Sequence, residues 1–198
     1  VVLGCSASSR NVMMLTAVVA LFAYVQQPVT RLGRSRAAVS MLAEGDKLPS
    51  GEFMIIKDGP APLSSSEVFD GKKVVLFGIP GALTPTCSEK QLPGFVALAD
   101  DFKAKGVDTI ACLSVNDPFV MKEMSKMKDP DGKVMMLGDG AAEFTKAAGL
   151  DFFTGNFGGT RTTRCAMIVD DGKVVKLAME EGGAFSGASS AESMLEAL

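Results

Sequence analysis

The chain has 198 residues, with 20 Lys+Arg against 23 Asp+Glu and no histidine, a length that suits one domain or one domain with a tail. Without histidine, Ser-His-Asp and Cys-His catalysis, His-ligated zinc and imidazole proton transfer are excluded. The net charge of −3 leaves no basic excess to favour nucleic acid.

Charge divides the chain in two. Residues 1–43 carry Arg10, Arg31, Arg34 and Arg36 and no acid; from Glu44 onward there are 23 Asp+Glu and 16 Lys+Arg. So abrupt a change of sign points to segments with different jobs. Val12–Val25 is an apolar run interrupted only by Thr16. It falls short of the roughly 20 residues a bilayer-spanning helix needs, and with Arg10 upstream it fits the apolar core of a signal peptide. Residues 26–41 are rich in Arg, Ser and Thr and free of acids, which is transit-peptide composition. A signal core followed by a transit-like stretch resembles the two-part leader of proteins sent to plastids bounded by extra membranes. Residues 1–43 are therefore expected to be a removable targeting leader, with the plastid as destination and the mitochondrion as the alternative. A short membrane anchor and a buried core helix are the competing readings of the apolar run.

Residues 44–198 read as one α/β domain. Lys73–Phe77 is a continuous apolar run, as in a fully buried strand. Cys87–Phe102 follows with Leu92, Phe95, Ala99 and Phe102 at helical spacing, and Pro93 is expected to kink it. Thr109–Val115 is a second buried strand. Asp117 and Pro118 then read as the N-cap and first residue of a helix. Val134–Leu137 is a third strand, and Ala141–Ala148 a helix closed by Gly149. Cys165–Val169 and Lys173–Ala178 flank Asp170-Asp171-Gly172 as a β-hairpin. Ser189-x-x-Glu192 has the form of a capping box before a last helix with Met194, Leu195 and Leu198. Alternating elements followed by a hairpin predict a mixed central sheet flanked by helices.

The chemistry is expected at a strand–loop–cysteine–helix unit. The four cysteines, Cys5, Cys87, Cys112 and Cys165, include no CxxC pair, which argues against a dithiol redox pair and zinc knuckles. Cys87 follows the Lys73–Phe77 strand and the loop 78–86, in the first turn of the next helix. Unpaired N–H groups and the helix dipole there favour an anion, so this thiol is expected to react as a thiolate. An inert buried cysteine is the alternative.

The string Pro80-x-x-x-Thr84-x-x-Cys87 matches the active-site motif of peroxiredoxins. Gly71–Phe95 (GKKVVLFGIPGALTPTCSEKQLPGF) resembles their type II, or peroxiredoxin-5-like, branch, plant members above all. The resemblance continues through Leu113–Lys122, Gly159–Val174 and the EEGGAF…SSAE region. It implies a thioredoxin-like fold and a thiol peroxidase acting on hydrogen peroxide and organic hydroperoxides. By position, Cys87 is implied as the peroxidatic cysteine, whose thiolate takes a peroxide oxygen to give Cys–SOH. Thr84 is implied to orient the peroxide, Arg164 to stabilise the thiolate and developing charge, and Pro80 to shield the sulfur; Arg161 is a nearby alternative to Arg164. A homodimer paired through loops near the site, with Pro80–Leu83 and Phe119 as apolar surface, is implied as well.

Cys112, 25 residues after Cys87, stands where plant type II enzymes carry a proposed resolving cysteine. A disulfide needs Cα atoms within about 7 Å, so the start of the Cys87 helix would have to unwind; a core thiol is the alternative. The resolving position of the animal branch aligns with Ala188. Cys165 replaces a usual aromatic and is expected to be core, facing away from the site. Gln91 stands where many relatives have His, and Met124 where many have Trp; neither is expected to carry chemistry, and Met124 is expected to leave an oxidisable surface. Glutaredoxin with glutathione, or thioredoxin, is implied as reductant, and no metal or organic cofactor. A thioredoxin-like disulfide reductase is disfavoured by the missing CxxC. A redox-regulated sensor or binding module using Cys87 without turnover is the competing function.

Overall fold

In the computed structural model, which describes residues 41–181 and 183–198, the buried run Lys73–Gly78 forms a strand at the heart of a seven-stranded mixed sheet. The leader expected over residues 1–43, Cys5 included, lies outside the described residues except for its last three. Of these, Leu42 is buried, and its N–H donates to the Ala148 carbonyl at 3.3 Å.

In chain order the strands are β1 Glu52–Ile56, β2 Pro60–Ser64, β3 Lys73–Gly78, β4 Thr109–Ser114, β5 Met135–Gly138, β6 Asp151–Phe153, β7 Thr160–Thr162, β8 Cys165–Asp170 and β9 Lys173–Met179. The helices are α1 Ser65–Phe69, α2 Leu92–Ala97, α3 Ala99–Ala104, α4 Pro118–Lys128, α5 Glu143–Ala147 and α6 Ala191–Glu196. The main sheet runs β2-β1-β5-β4-β3-β8-β9; β3, β4 and β5 are parallel, and β1 and β8 join them antiparallel. The expected mixed sheet flanked by helices is the observed architecture, with β6 and β7 forming a separate ribbon.

Alternation along the central strands builds two apolar layers. Val74 and Leu76 of β3, Leu113 of β4 and Cys165 and Met167 of β8 face one way, with Phe53, Phe69 and Phe144. Val75 and Phe77, Cys112, and Ala166 and Ile168 face the other, with Cys87, Phe95, Phe102 and Met124. Phe77 and Phe95 stack with centroids 4.1 Å apart, fixing the helix after Cys87 against β3.

Three expectations are corrected. The helix from Cys87 to Phe102 is not one element kinked at Pro93. It is a π-helical turn over Cys87–Gln91, then α2 with Pro93 in its first turn, then α3, with the irregularity at Leu98 (φ −95°, ψ 11°). Proline has no N–H for the residue four back and crowds that carbonyl; the widened turn upstream, where Leu92 N–H donates to Cys87 O, absorbs the mismatch. The last helix is capped by Ser190, whose side chain accepts from Ser193 N–H, and Ser189 is buried instead. Met124 is fully buried in the second layer and is no oxidisable surface, because α4 turns that face onto the sheet.

Candidate active site

The parallel strands β3 and β4 end side by side, with Gly78 paired to Leu113. The chain leaving β3 turns through residues 79–84 into the helical turn that opens at Pro85. Packing makes this exit tight. A Cβ on Gly78 would lie 2.8 Å from Cys165 Sγ and 2.9 Å from the Thr163 carbonyl, so only glycine fits. The loop is pinned from β4 and the residues after it. Asn116 Oδ1 accepts from Ala82 N–H at 3.0 Å and lies 2.8 Å from Ser114 Oγ, which is itself 3.2 Å from the Ile79 carbonyl. Leu83 holds a left-handed conformation (φ 63°), which a branched side chain adopts at a cost of about 1 kcal/mol or more.

Thr84 Oγ1 donates to the Gly81 carbonyl at 2.8 Å, and Ser88 N–H donates to the Thr84 carbonyl at 2.9 Å as the first bond of the helical turn. Cys87 therefore sits in that first turn, at the positive end of the turn's peptide dipoles, as expected. Its side chain is fully buried. Pro80, two residues beyond β3, is half-buried.

Arg164, just before β8, is 3% exposed, and its Nη1 lies 3.5 Å from Cys87 Sγ. The same Nη1 donates to Gln91 Oε1 at 2.6 Å, Nε donates to the Gly183 carbonyl at 3.2 Å, and the guanidinium lies 5.8 Å from the Phe185 ring centroid. A buried guanidinium with its donors spread over three partners is held as a rigid fork. Arg161 takes a different place: its guanidinium packs against Gly158, with Nη1 near Gly81 in the loop that precedes Cys87.

Cys112 shares the layer of Cys87 and is fully buried; burial, followed by the neighbouring Cys87, pushes its pKa well above the ordinary thiol value. Cys165 is buried in the opposite layer, as expected, and burial raises its pKa to about 12. Both are neutral thiols at physiological pH.

The structure thus brings Thr84, Cys87 and Arg164 onto one turn-and-strand-end cluster, while Arg161 reaches the loop at Gly81. Two further residues belong to the cluster, Gln91, which was not expected to carry chemistry, and Glu180, which the sequence did not single out. Gln91 is buried one turn beyond Cys87, accepts from Arg164, and directs Nε2 to the Cys165 carbonyl at 3.4 Å and to Ser189 Oγ at 3.5 Å. Glu180, just past β9, is buried and accepts from Ser186, Gly187 and Ser189. Its only sequence signal was an acid pair preceding two glycines, which gives no hint of which acid turns inward.

The Redoxin family model matches residues 43–195 of the chain. Peroxiredoxin-2E, chloroplastic, of Arabidopsis thaliana is 43% identical over 175 residues, covering 85% of this chain and 74% of that protein. Peroxiredoxin-2E-2, chloroplastic, of Oryza sativa subsp. japonica is 47% identical over 169 residues, covering 81% of this chain and 74% of that protein. Among solved structures, reduced Prx3 of Vibrio vulnificus in complex with hydrogen peroxide superposes with a TM-score of 0.76 at 49% identity, covering 79% of this chain and 99% of that one.

Proposed function

The chain belongs to the redoxin family and is a peroxiredoxin, a thiol peroxidase, and from that premise we propose that Cys87 is the residue that peroxide oxidises. The observation that carries this reading is the 3.5 Å approach of the buried Arg164 guanidinium to Cys87 Sγ. A fixed cation beside sulfur favours its charged, nucleophilic form, and burial keeps water from screening the pair.

The reaction follows from the donors around the sulfur. The Cys87 thiolate attacks the terminal oxygen of the hydroperoxide, the S–O bond forms as the O–O bond breaks, and the departing alkoxide or hydroxide takes a proton to leave as alcohol or water. Charge moves from sulfur onto the departing oxygen, and Arg164 donates along that path without reorganising. Thr84 has its one hydroxyl proton committed to Gly81, so its free lone pairs serve as acceptor for the peroxide O–H and orient it. Pro80 walls the pocket mouth and keeps bulk water from the sulfur.

Regeneration is assigned to glutathione with glutaredoxin. A resolving thiol attacks as thiolate, and Cys112 is held neutral by its burial. The external thiol attacks the sulfenic sulfur, water leaves, and a second thiol clears the mixed disulfide. Cys112 stays an optional resolver that acts only if the turn around Cys87 opens. Exposed Leu83 and Phe119 near the site support a homodimer through these loops. The acid-free segment 1–43 and the chloroplastic relatives support a plastid leader; a fluorescent fusion of that segment excluded from plastids would overturn it.

Cys87→Ser tests the central assignment, since serine is nearly isosteric but not ionised at neutral pH. The variant is expected to fold normally and lose peroxide consumption. Turnover above a few per cent of the unsubstituted protein's, on the order of a 1.4 kcal/mol barrier change for each tenfold, would displace Cys87 from its role.

A further inference from the structure

Beyond β9, the side-chain contacts of the Arg164–Gln91 pair reach one short segment. Arg164 Nε donates to the Gly183 carbonyl, its guanidinium faces the Phe185 ring, and Gln91 Nε2 donates to Ser189 Oγ. These three residues lie between β9 and α6, in a stretch with no regular secondary structure to hold them. The Glu180 carboxylate takes that role. Its Oε2 accepts from Ser186 N–H at 3.0 Å and from Ser186 Oγ at 2.6 Å. Its Oε1 accepts from Gly187 N–H at 3.3 Å and from Ser189 N–H and Ser189 Oγ, both at 3.0 Å. Glu180 is itself tied to the arginine's backbone, its N–H donating to the Arg164 carbonyl at 2.9 Å.

We propose that Glu180 is a positioning residue for the peroxidase reaction, holding segment 183–189 so that Arg164 and Gln91 are aimed at Cys87. The directionality of the bonds makes the charge necessary. Five donors converge on one acceptor-only group. The Ser189 hydroxyl spends its proton on Glu180, and its lone pairs are thereby left facing Gln91 Nε2. Gln91 then presents Oε1, not its amide nitrogen, to the guanidinium. Replacing Glu180 by glutamine puts an NH2 among N–H and O–H donors, so at least one donor of the set loses its acceptor. The hydroxyl is released, and the orientation of Gln91 is no longer imposed. Glu180 touches neither sulfur nor peroxide; it acts through Arg164.

The inference rests on Cys87 and Arg164 being the reacting pair, and the test separates the two readings. Peroxide reduction by the reduced full chain is measured for Glu180→Gln, Arg164→Met and the double variant, with near-ultraviolet circular dichroism as a check on folding. Glu180→Gln is expected to lower the second-order rate constant about tenfold, the equivalent of one well-aimed donor partly misplaced. In the Arg164→Met background it should lower the rate no further, because the group it positions is gone. A purely structural role would give an additive loss, and this result, or a folded Glu180→Gln with the unsubstituted rate, overturns the proposal. If Arg164→Met itself leaves the rate unchanged, it is the reading of the reacting pair that fails. Should Glu180→Gln not fold, Ser189→Ala gives the same comparison: a smaller loss that vanishes in the Arg164→Met background is expected, and an additive loss or none refutes the proposal.

Discussion

Replacing Arg164 by methionine should slow peroxide reduction far more than any change at Arg161. The guanidinium is buried and its Nη1 lies 3.5 Å from Cys87 Sγ. Two unit charges at that distance interact by roughly 5 kcal/mol at an effective dielectric of about 20. Whatever part of such an attraction acts equally before and during the reaction does not enter the rate. The catalytic share is the donor presented to the departing oxygen, and removing one such donor costs about 10²–10³-fold. Arg164→Lys keeps the charge but places three donors on one nitrogen, which cannot reach Gly183, Gln91 and sulfur together; a loss of about tenfold, between methionine and arginine, is expected. Arg161→Met should stay within about threefold, well under 1 kcal/mol of barrier, since its guanidinium lies against Gly158 and not against the sulfur. Stability must be followed in parallel, because methionine strands the Gln91 and Gly183 acceptors, at about 1–3 kcal/mol each. The chain has no tryptophan, so the reaction is best followed by competition for peroxide with a haem peroxidase. A slower Arg161→Met than Arg164→Met in folded protein would refute the reasoning.

Gly78→Ala, with its Cβ forced within 2.9 Å of the Thr163 carbonyl and 2.8 Å of Cys165 Sγ, should lower the urea unfolding free energy by about 1–3 kcal/mol; an unchanged midpoint would mean that the strand end yields freely. Burial raises the Glu180 carboxyl's pKa, but hydrogen bonds led by the Ser186 hydroxyl outweigh it and hold the value at about 2. Its contribution to stability is thus present above the unfolded carboxyl value near 4.3 and is lost as pH falls towards 2. The stability gap between the protein and Glu180→Gln should accordingly shrink over that window, and a gap independent of pH would contradict this. Among the three core cysteines, native-state alkylation at mildly alkaline pH should label Cys87 alone, because Cys112 and Cys165 are held neutral by burial; mass spectrometry showing a second label would refute it. Thioredoxin-driven turnover should be the same in Cys112→Ser as in the unsubstituted chain, and a clear loss would make Cys112 the resolver.

The parts of this fold that were legible in the sequence are those whose signal is local. The strands β3, β4, β8 and β9 are continuous or alternating apolar runs, and Asp117-Pro118 announces its helix by capping chemistry alone. The hairpin of β1 and β2 was not legible: β2 reads Pro-Ala-Pro-Leu-Ser, and its prolines are tolerated because it is a sheet edge, a fact of topology and not of composition. Cys87, Thr84 and Arg164, the residues of the proposed site, were singled out through the resemblance to a family motif. The roles of Gln91 and Glu180 were not legible, because they are set by pairings 73 to 98 residues apart for Gln91 and by a loop folding back on Glu180. Met124 was misjudged for a related reason, since a residue near the middle of a charged helix shows its buried face only once the sheet beneath it is known.

If Cys87 is the residue that peroxide oxidises, as proposed, its burial divides the catalytic cycle into halves with opposed demands. A peroxide is small enough to reach a sulfur that is fully covered in the resting protein, and the dry, fixed surroundings strengthen each charge–dipole contact made there. A tripeptide thiol or a protein reductant is too large for that approach, so the turn bearing the oxidised sulfur has to open before regeneration. The π-helical geometry of Cys87–Gln91 is the weak point at which it can, since such turns are rare departures from the α-helix and are frequent at functional sites. What holds the turn shut is the Gln91–Arg164 bond and, behind it, the segment tied to Glu180. Oxidation places an oxygen on the sulfur that faces the Arg164 Nη1, and this oxygen competes with Gln91 for the same donor at the step where opening is required. The same network that aims the arginine therefore sets the balance between fast oxidation and prompt reduction, and stiffening it would speed the first at the expense of the second.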